Sequence, residues 1–281
     1  MSQEPDPPQT GERIAKLLAR AGVGSRRAVE LMISEGRVHH RGTPVTTPAT
    51  LLTALEGITV DGKPVAAVAP PRLWRFHKPR GVITTHKDPQ GRRTVFDLLP
   101  PGAGRLISVG RLDLNSEGLL LLTNDGALAR HLEHPATGLA RRYRVRVHGE
   151  VDEARLGALI EGITVEGVRY GPITASLERA QGSNAWLIVT LHEGKNREIR
   201  KVLAALGLMV TRLIRIAYGP FGLGQLAPGE MKPVPPNDWA PLARPIAGAL
   251  AGASDATLSA RPKGWAKPKP RRRGRKSRQG G

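Results

Sequence analysis

The chain has 281 residues, 40% of them hydrophobic but only 4% aromatic, so it is long enough to bury a core and that core must be aliphatic. A formal net charge of +19 points to a polyanionic partner, and the lack of cysteine excludes disulfides and thiolate metal sites. No apolar run approaches the roughly 20 residues of a membrane helix, and the acidic, proline-rich start lacks the pattern of a signal peptide, so a cytoplasmic protein without membrane contact is expected.

Residues 1–11 read as disordered. RIAKLLARAG then has helical spacing at Ile14, Leu17, Leu18 and Ala21, with Gly22 as its C-terminal stop. Ser25 is placed to cap a second helix, RRAVELMISEG, whose inward face is read as Ala28, Leu31 and Met32. RVHHRGTPV reads as a strand and turn, and Asp61-Gly62 in ITVDGKPV is a hairpin signal. These elements make a compact unit over residues 12–68.

A short linker leads to a larger domain over residues 72–240. Its expected elements are strands LWRFHK, GVITT and LLLLT, helix GALARHLE, strand RRYRVRVHG, helix DEARLGALIEG, the hairpin-like ITVEGVRYGPITASLERA, strand AWLIVTLHEG, helix KNREIRKVLAALG and strand MVTRLIRIAYGPF. Strands outnumber helices and are joined irregularly, so the fold class is α+β with a mostly antiparallel sheet. Residues 241–281 read as a basic disordered tail. Ten lysines and arginines between Arg261 and Arg278 supply half of the net charge, leaving +9 for the rest. Such a tail suits a polyanionic partner through counterion release, or is merely a solvated extension.

Several stretches can carry chemistry. In VGRLDLNSEGLLLLTNDG, Asp113 lies in a polar loop just before a run of four leucines that must be buried. A lone aspartate in a loop is ordinarily a turn former, but one anchored so close to a rigid strand also suits a positioned catalytic group. In RRYRVRV, Tyr143 alternates with arginines and shares the inward face with Val145 and Val147, as a core tyrosine also does. In HEGKNREIRKVLAALG, Ile199, Val202, Leu203 and Leu206 form a buried stripe, with Arg200 at its rim or exposed. Lys16, Arg26 and Arg27 form a basic face on the two front helices, suited to phosphate or simply solvated.

The stretch RIAKLLARAGVGSRRAVELMISEGRVHHRGTPV resembles the small RNA-binding domain of the S-four type, which binds structured RNA by backbone and shape. GRLDLNSEGLLLLTNDG, KPRG, RRYRVRV and EGKNREIRKVLAALG together resemble the bacterial ribosomal RNA pseudouridine synthases of the RsuA/RluB family, from Ile14 to Phe221 and in the family's order.

That resemblance implies conversion of uridine to pseudouridine in a structured stem-loop of ribosomal RNA, by an enzyme that needs neither a cofactor nor a metal. It makes Asp113 the catalytic aspartate, Tyr143 the active-site tyrosine and Arg200 the basic residue paired with the aspartate. It gives Arg111 the space vacated by a flipped uridine, with a plain phosphate contact as the competing role. Lys78, Lys195 and Arg197 become candidates for backbone contacts. DPQGRRTVFDLLP and the basic tail favour a large-subunit 23S target over a 16S one. A non-catalytic RNA-binding assembly factor is the main rival. A methyltransferase would need a glycine-rich cofactor loop that the sequence lacks. A monomer is expected.

Overall fold

The computed structural model describes residues 11–246. The expected disordered start and most of the basic tail lie outside the described residues.

The front unit holds β1 (Glu12–Arg13), α1 (Ile14–Arg20), α2 (Arg26–Ser34), β2 (Val38–His40), β3 (Thr43–Pro44), β4 (Leu51–Leu52), β5 (Ile58–Val60) and β6 (Lys63–Pro64). Ser25 caps α2 by accepting from the Ala28 amide at 3.0 Å. Asp61 and Gly62 both take positive φ, the requirement of the tight turn between β5 and β6. The inward face of α2 differs from the expected one. Val29 and Ile33 are buried with Ile14, Leu17 and Leu18, while Leu31 is 57% exposed. The true stripe runs one position later, at i and i+4, so Leu31 falls on the solvent side.

The larger unit holds β7 (Leu73–Lys78), β8 (Ile107–Val109), β9 (Glu117–Thr123), α3 (Gly126–Glu133), β10 (Arg141–His148), α4 (Glu153–Ala158), β11 (Ile163–Val165), β12 (Val168–Tyr170), β13 (Ile173–Gln181), β14 (Asn184–Leu191), α5 (Glu198–Ala205), β15 (Met209–Tyr218), β16 (Phe221–Gly222), β17 (Met231–Val234) and α6 (Pro236–Ala243). Among the described residues they build a nine-stranded sheet with the path β13-β14-β10-β15-β9-β7-β17, with β16 on β15 and β8 on β9. Every pairing is antiparallel except β9 with β15. The sheet is therefore mostly antiparallel and the fold α+β, as the element pattern implied.

The leucine run on β9 explains the layering. Leu120 and Leu122 enter one core with Phe76, Val145 and Val202, while Leu119 and Leu121 enter a second with Leu128 and Trp239. A strand buried on both faces has no polar side to alternate, hence the unbroken apolar run. GVITT forms no strand; only an isolated bridge joins Ile83 to Thr94. The hydroxyl of Thr84 instead donates to the Leu112 carbonyl at 3.0 Å, so this stretch braces the Asp113 loop. Helix α6 crosses the tail boundary expected at residue 240, because Trp239 and Ala243 are buried against the second core. Arg20 joins the two units through an ion pair with Asp125 at 3.3 Å. No helix among the described residues is long and apolar enough to cross a membrane.

Candidate active site

The loop at residues 110–116 is built by backbone constraints. Gly110 takes φ +67°, and its amide donates to Glu133 at 2.6 Å, fastening the bend to the end of α3. The Ser116 amide donates to the Asp113 carbonyl at 3.0 Å and closes a turn. The Gly81 amide donates to the Leu114 carbonyl at 2.8 Å. The loop then enters β9 through Glu117 and Gly118, both buried. Gly118 has φ +103°, and a Cβ there would lie 2.3 Å from the Arg215 carbonyl oxygen. Only glycine permits this close parallel meeting of β9 and β15.

Lys78 closes the construction from below. It is fully buried, and its ammonium donates to the carbonyls of Asp113 at 3.1 Å, Ser116 at 2.8 Å and Pro79 at 3.1 Å. Burial pushes its pKa down to about 8, against the pull of Asp113 and Glu117. The expectation that Lys78 contacts RNA is thereby overturned: its charge is spent inside the protein, on the loop that carries Asp113. A lysine is almost never fully buried without partners, and here three carbonyls supply them.

Above the loop lies a cavity of about 520 Å³ whose lining includes Asp113, Arg111, Tyr143, Lys195, Arg197 and Arg200. Six of the sequence candidates thus meet in one place. Asp113 is exposed to the cavity side of the loop, and among the described residues its carboxylate makes no ion pair. The ring of Tyr143 is buried, at the edge of the main core. Lys195 is held by Glu193 at 2.7 Å and by the Arg169 carbonyl at 2.8 Å, and Arg197 is exposed.

Arg200 reaches this site differently from the expected pairing. Its guanidinium donates to the carbonyls of Asn115 and Val210, each at 3.1 Å. It therefore clamps the far end of the Asp113 loop to β15 instead of bonding the carboxylate. Burial and the neighbouring Arg197 charge push its pKa down, while Asp113 pulls it up. Its Nε is buried without a hydrogen-bond partner among the described residues.

Lys16, Arg26 and Arg27 lie outside the cavity. Lys16 is paired with Glu12, whereas Arg26 and Arg27 are exposed at the start of α2.

The structure adds residues that the sequence reading passed over. Arg215 is buried, donates to the Leu119 carbonyl at 2.7 Å, and stacks 5.1 Å from the Tyr218 ring centre. Arg141 donates to the Tyr218 hydroxyl at 3.1 Å and stacks on the same ring at 5.0 Å. Glu198, at the start of α5, is buried and lines the cavity; burial and the adjacent Glu193 push its pKa up to about 7. The signal for Arg215 was present, since it stands two residues after Leu213 and so shares its inward face. The cavity is strongly electropositive, with five arginines and Lys195 around Asp113, Glu133 and Glu198. It suits a polyanion that presents a neutral, polar group to a single carboxylate.

Comparisons with known proteins show the family to which the chain belongs. The family model for RNA pseudouridylate synthases matches residues 72–205. A Rickettsia felis protein named "Uncharacterized RNA pseudouridine synthase" is 46% identical over 223 residues, 79% of this chain and 96% of that protein. A Pseudomonas aeruginosa protein named "Ribosomal large subunit pseudouridine synthase B" is 43% identical over 231 residues, 78% of this chain and 59% of its own length. A crystal structure described as a pseudouridylate synthase superposes with a TM-score of 0.58 at 26% identity, covering 82% of this chain and 99% of that one.

Proposed function

This chain belongs to the RNA pseudouridylate synthase family, and from that membership we propose that it isomerises a specific uridine of large-subunit ribosomal RNA, with Asp113 as the catalytic carboxylate. The reaction breaks the bond between the ribose and the base nitrogen, turns the uracil, and rejoins it through a ring carbon. No atom is gained or lost and no net electron is transferred. The observation that carries the assignment is the support of Asp113. Lys78 and Arg200 hold the carbonyls of Asp113, Ser116 and Asn115, so the loop is fixed on both sides while the carboxylate itself makes no ion pair among the described residues.

A carboxylate so placed serves attack on the anomeric carbon or removal of the ribose 2′ proton; both need its ionised form. Arg215, Arg200 and Arg111 line the same cavity and give it the positive charge that suits an RNA phosphate. Tyr143 stacks on the flipped uracil and assists loss of the proton from the ring carbon newly bonded to the ribose. Arg111, exposed beside the cavity, fills the gap that the base leaves in the RNA stack. Lys195 and Arg197 take backbone phosphates at the rim.

The front unit, residues 12–68, acts as an RNA-binding module of the S-four type, with Arg26 and Arg27 toward phosphate. The protein works as a cytoplasmic monomer. The large-subunit target rests on the Pseudomonas aeruginosa relative and on the segment DPQGRRTVFDLLP. Pseudouridine mapping of both ribosomal RNAs from cells with and without this protein tests the assignment: one large-subunit site should depend on it.

A further inference from the structure

Among the described residues, one half of the sheet leaves one face exposed. Along β10, Tyr143, Val145 and Val147 turn to the core, so Arg142, Arg144 and Arg146 turn to the opposite side. Register extends that side across its neighbours. Arg146 stands opposite Trp186 on β14 and opposite Arg212 on β15, and Trp186 stands opposite Arg179 on β13. The result is a strip carrying five arginines and one tryptophan, away from the cavity that holds Asp113.

The charges on this strip are unbalanced. Glu178 is committed to Arg144 at 2.7 Å, and Glu117 to Arg212 at 2.6 Å. Among the described residues, Arg142, Arg146 and Arg179 pair with no carboxylate. Arg146, Arg179 and Trp186, with Asn184 and Gln181, also line a hollow of about 280 Å³. The Arg144 guanidinium lies over the Trp186 ring, 4.3 Å from its centre. Three uncommitted arginines beside an arginine–tryptophan stack have the chemistry that holds RNA: guanidinium groups take phosphates, and a planar stack takes an unpaired base. An acidic protein surface would satisfy the charges but leave the stack unused.

We propose that this open face, centred on Arg142, Arg146, Arg179 and Trp186, is a second RNA-binding surface that holds a segment of the substrate RNA outside the stem-loop in the catalytic cavity. A base adds to the exposed plane of the Arg144 guanidinium, and the flanking phosphates meet the three free arginines. The proposal rests on RNA being the substrate, and extends it from a local stem-loop to a longer RNA held on two faces of one sheet.

The test uses the full chain with two probes: an unmodified transcript of large-subunit ribosomal RNA and a fixed 20-nucleotide RNA hairpin. In R142A/R146A/R179A, affinity for the transcript should fall about 30-fold, and its logarithmic salt slope should shrink by about 2–3, while hairpin affinity stays within about twofold. W186A alone should weaken transcript binding about tenfold. R142K/R146K/R179K, which keeps the charge, should bind the transcript within about threefold of the parent. A wild-type affinity and slope in the alanine triple variant would overturn the proposal. So would an equal loss on the hairpin, because the effect would then belong to the cavity or the fold. Pseudouridine yield in the transcript at saturating protein is read in parallel. Failure of the unaltered protein to form any would remove the functional assignment and leave the binding comparison standing.

Discussion

The ammonium of Lys78 lies 3.1 Å from the backbone carbonyl of Asp113, and through it a fully buried cation fixes the loop that presents an exposed carboxylate. The two residues are 35 positions apart, on β7 and on the turn before β9. Lys78 is thus a positioning residue.

Replacing Lys78 by methionine keeps the buried length but removes three hydrogen bonds. Carbonyls left unsatisfied cost about 1–3 kcal/mol each, partly offset because no charge is then buried. K78M should lower kcat by about tenfold or more and leave RNA affinity within about twofold. A large loss of RNA affinity with unchanged kcat would return Lys78 to the role of an RNA contact.

Arg200 acts through geometry as well as charge. Lysine at this place keeps a cation but cannot reach both the Asn115 and the Val210 carbonyls with a planar fork. R200A should lose about 100-fold in kcat, and R200K about tenfold, measured at saturating RNA. An R200K variant with full kcat would mean that charge alone suffices.

Gly118 should tolerate no side chain. In G118A the methyl group meets the Arg215 backbone, and the positive φ adds about 1 kcal/mol of strain. The parallel contact of β9 with β15 should open. Thermal unfolding should show a loss of roughly 2–4 °C for every kcal/mol, and activity should fall with it. An unchanged melting temperature would mean the strands separate at no cost.

Glu198 carries a pH signature. Its folded pKa is raised to about 7 by burial and by Glu193, whereas an unfolded glutamate ionises near 4.5. Between these values the folded state binds the extra proton, so stability falls as pH rises through this window, and the penalty is complete above it. E198Q, neutral at every pH, should remove this slope: its melting temperature should change less between pH 5 and 8 than that of the parent. Equal slopes in both proteins would place the titrating group elsewhere. Lys78 has the opposite sign, since its lowered pKa makes stability rise between about pH 8 and 10.5.

Much of this architecture was legible in the sequence because it rests on local patterns. Helix α3 coincides with the expected segment GALARHLE, and β10 follows from strict alternation. The neighbourhood of Asp113 was legible for the same reason, as a glycine bend followed by four leucines. What failed depended on distant partners. Lys78 reads as a surface cation until the carbonyls of residues 113 and 116 are folded over it. Arg200 sits at the rim as expected, but its hold on Asn115 requires the contact between α5 and the loop. In α2, Leu31 shares helical spacing with Ala28 and Met32, yet the unit's small core is filled by Val29 and Ile33.

The most direct measurement concerns Asp113 itself. Purified parent protein and D113N are incubated with unmodified large-subunit ribosomal RNA, pseudouridine is mapped at each position, and RNA affinity is measured alongside. The substitution keeps size and backbone but removes the charge, so pseudouridine formation at the target site should fall by at least about a thousandfold with affinity within about threefold. A D113N protein that still forms pseudouridine at the parent's rate would contradict the assignment of Asp113 as the catalytic carboxylate.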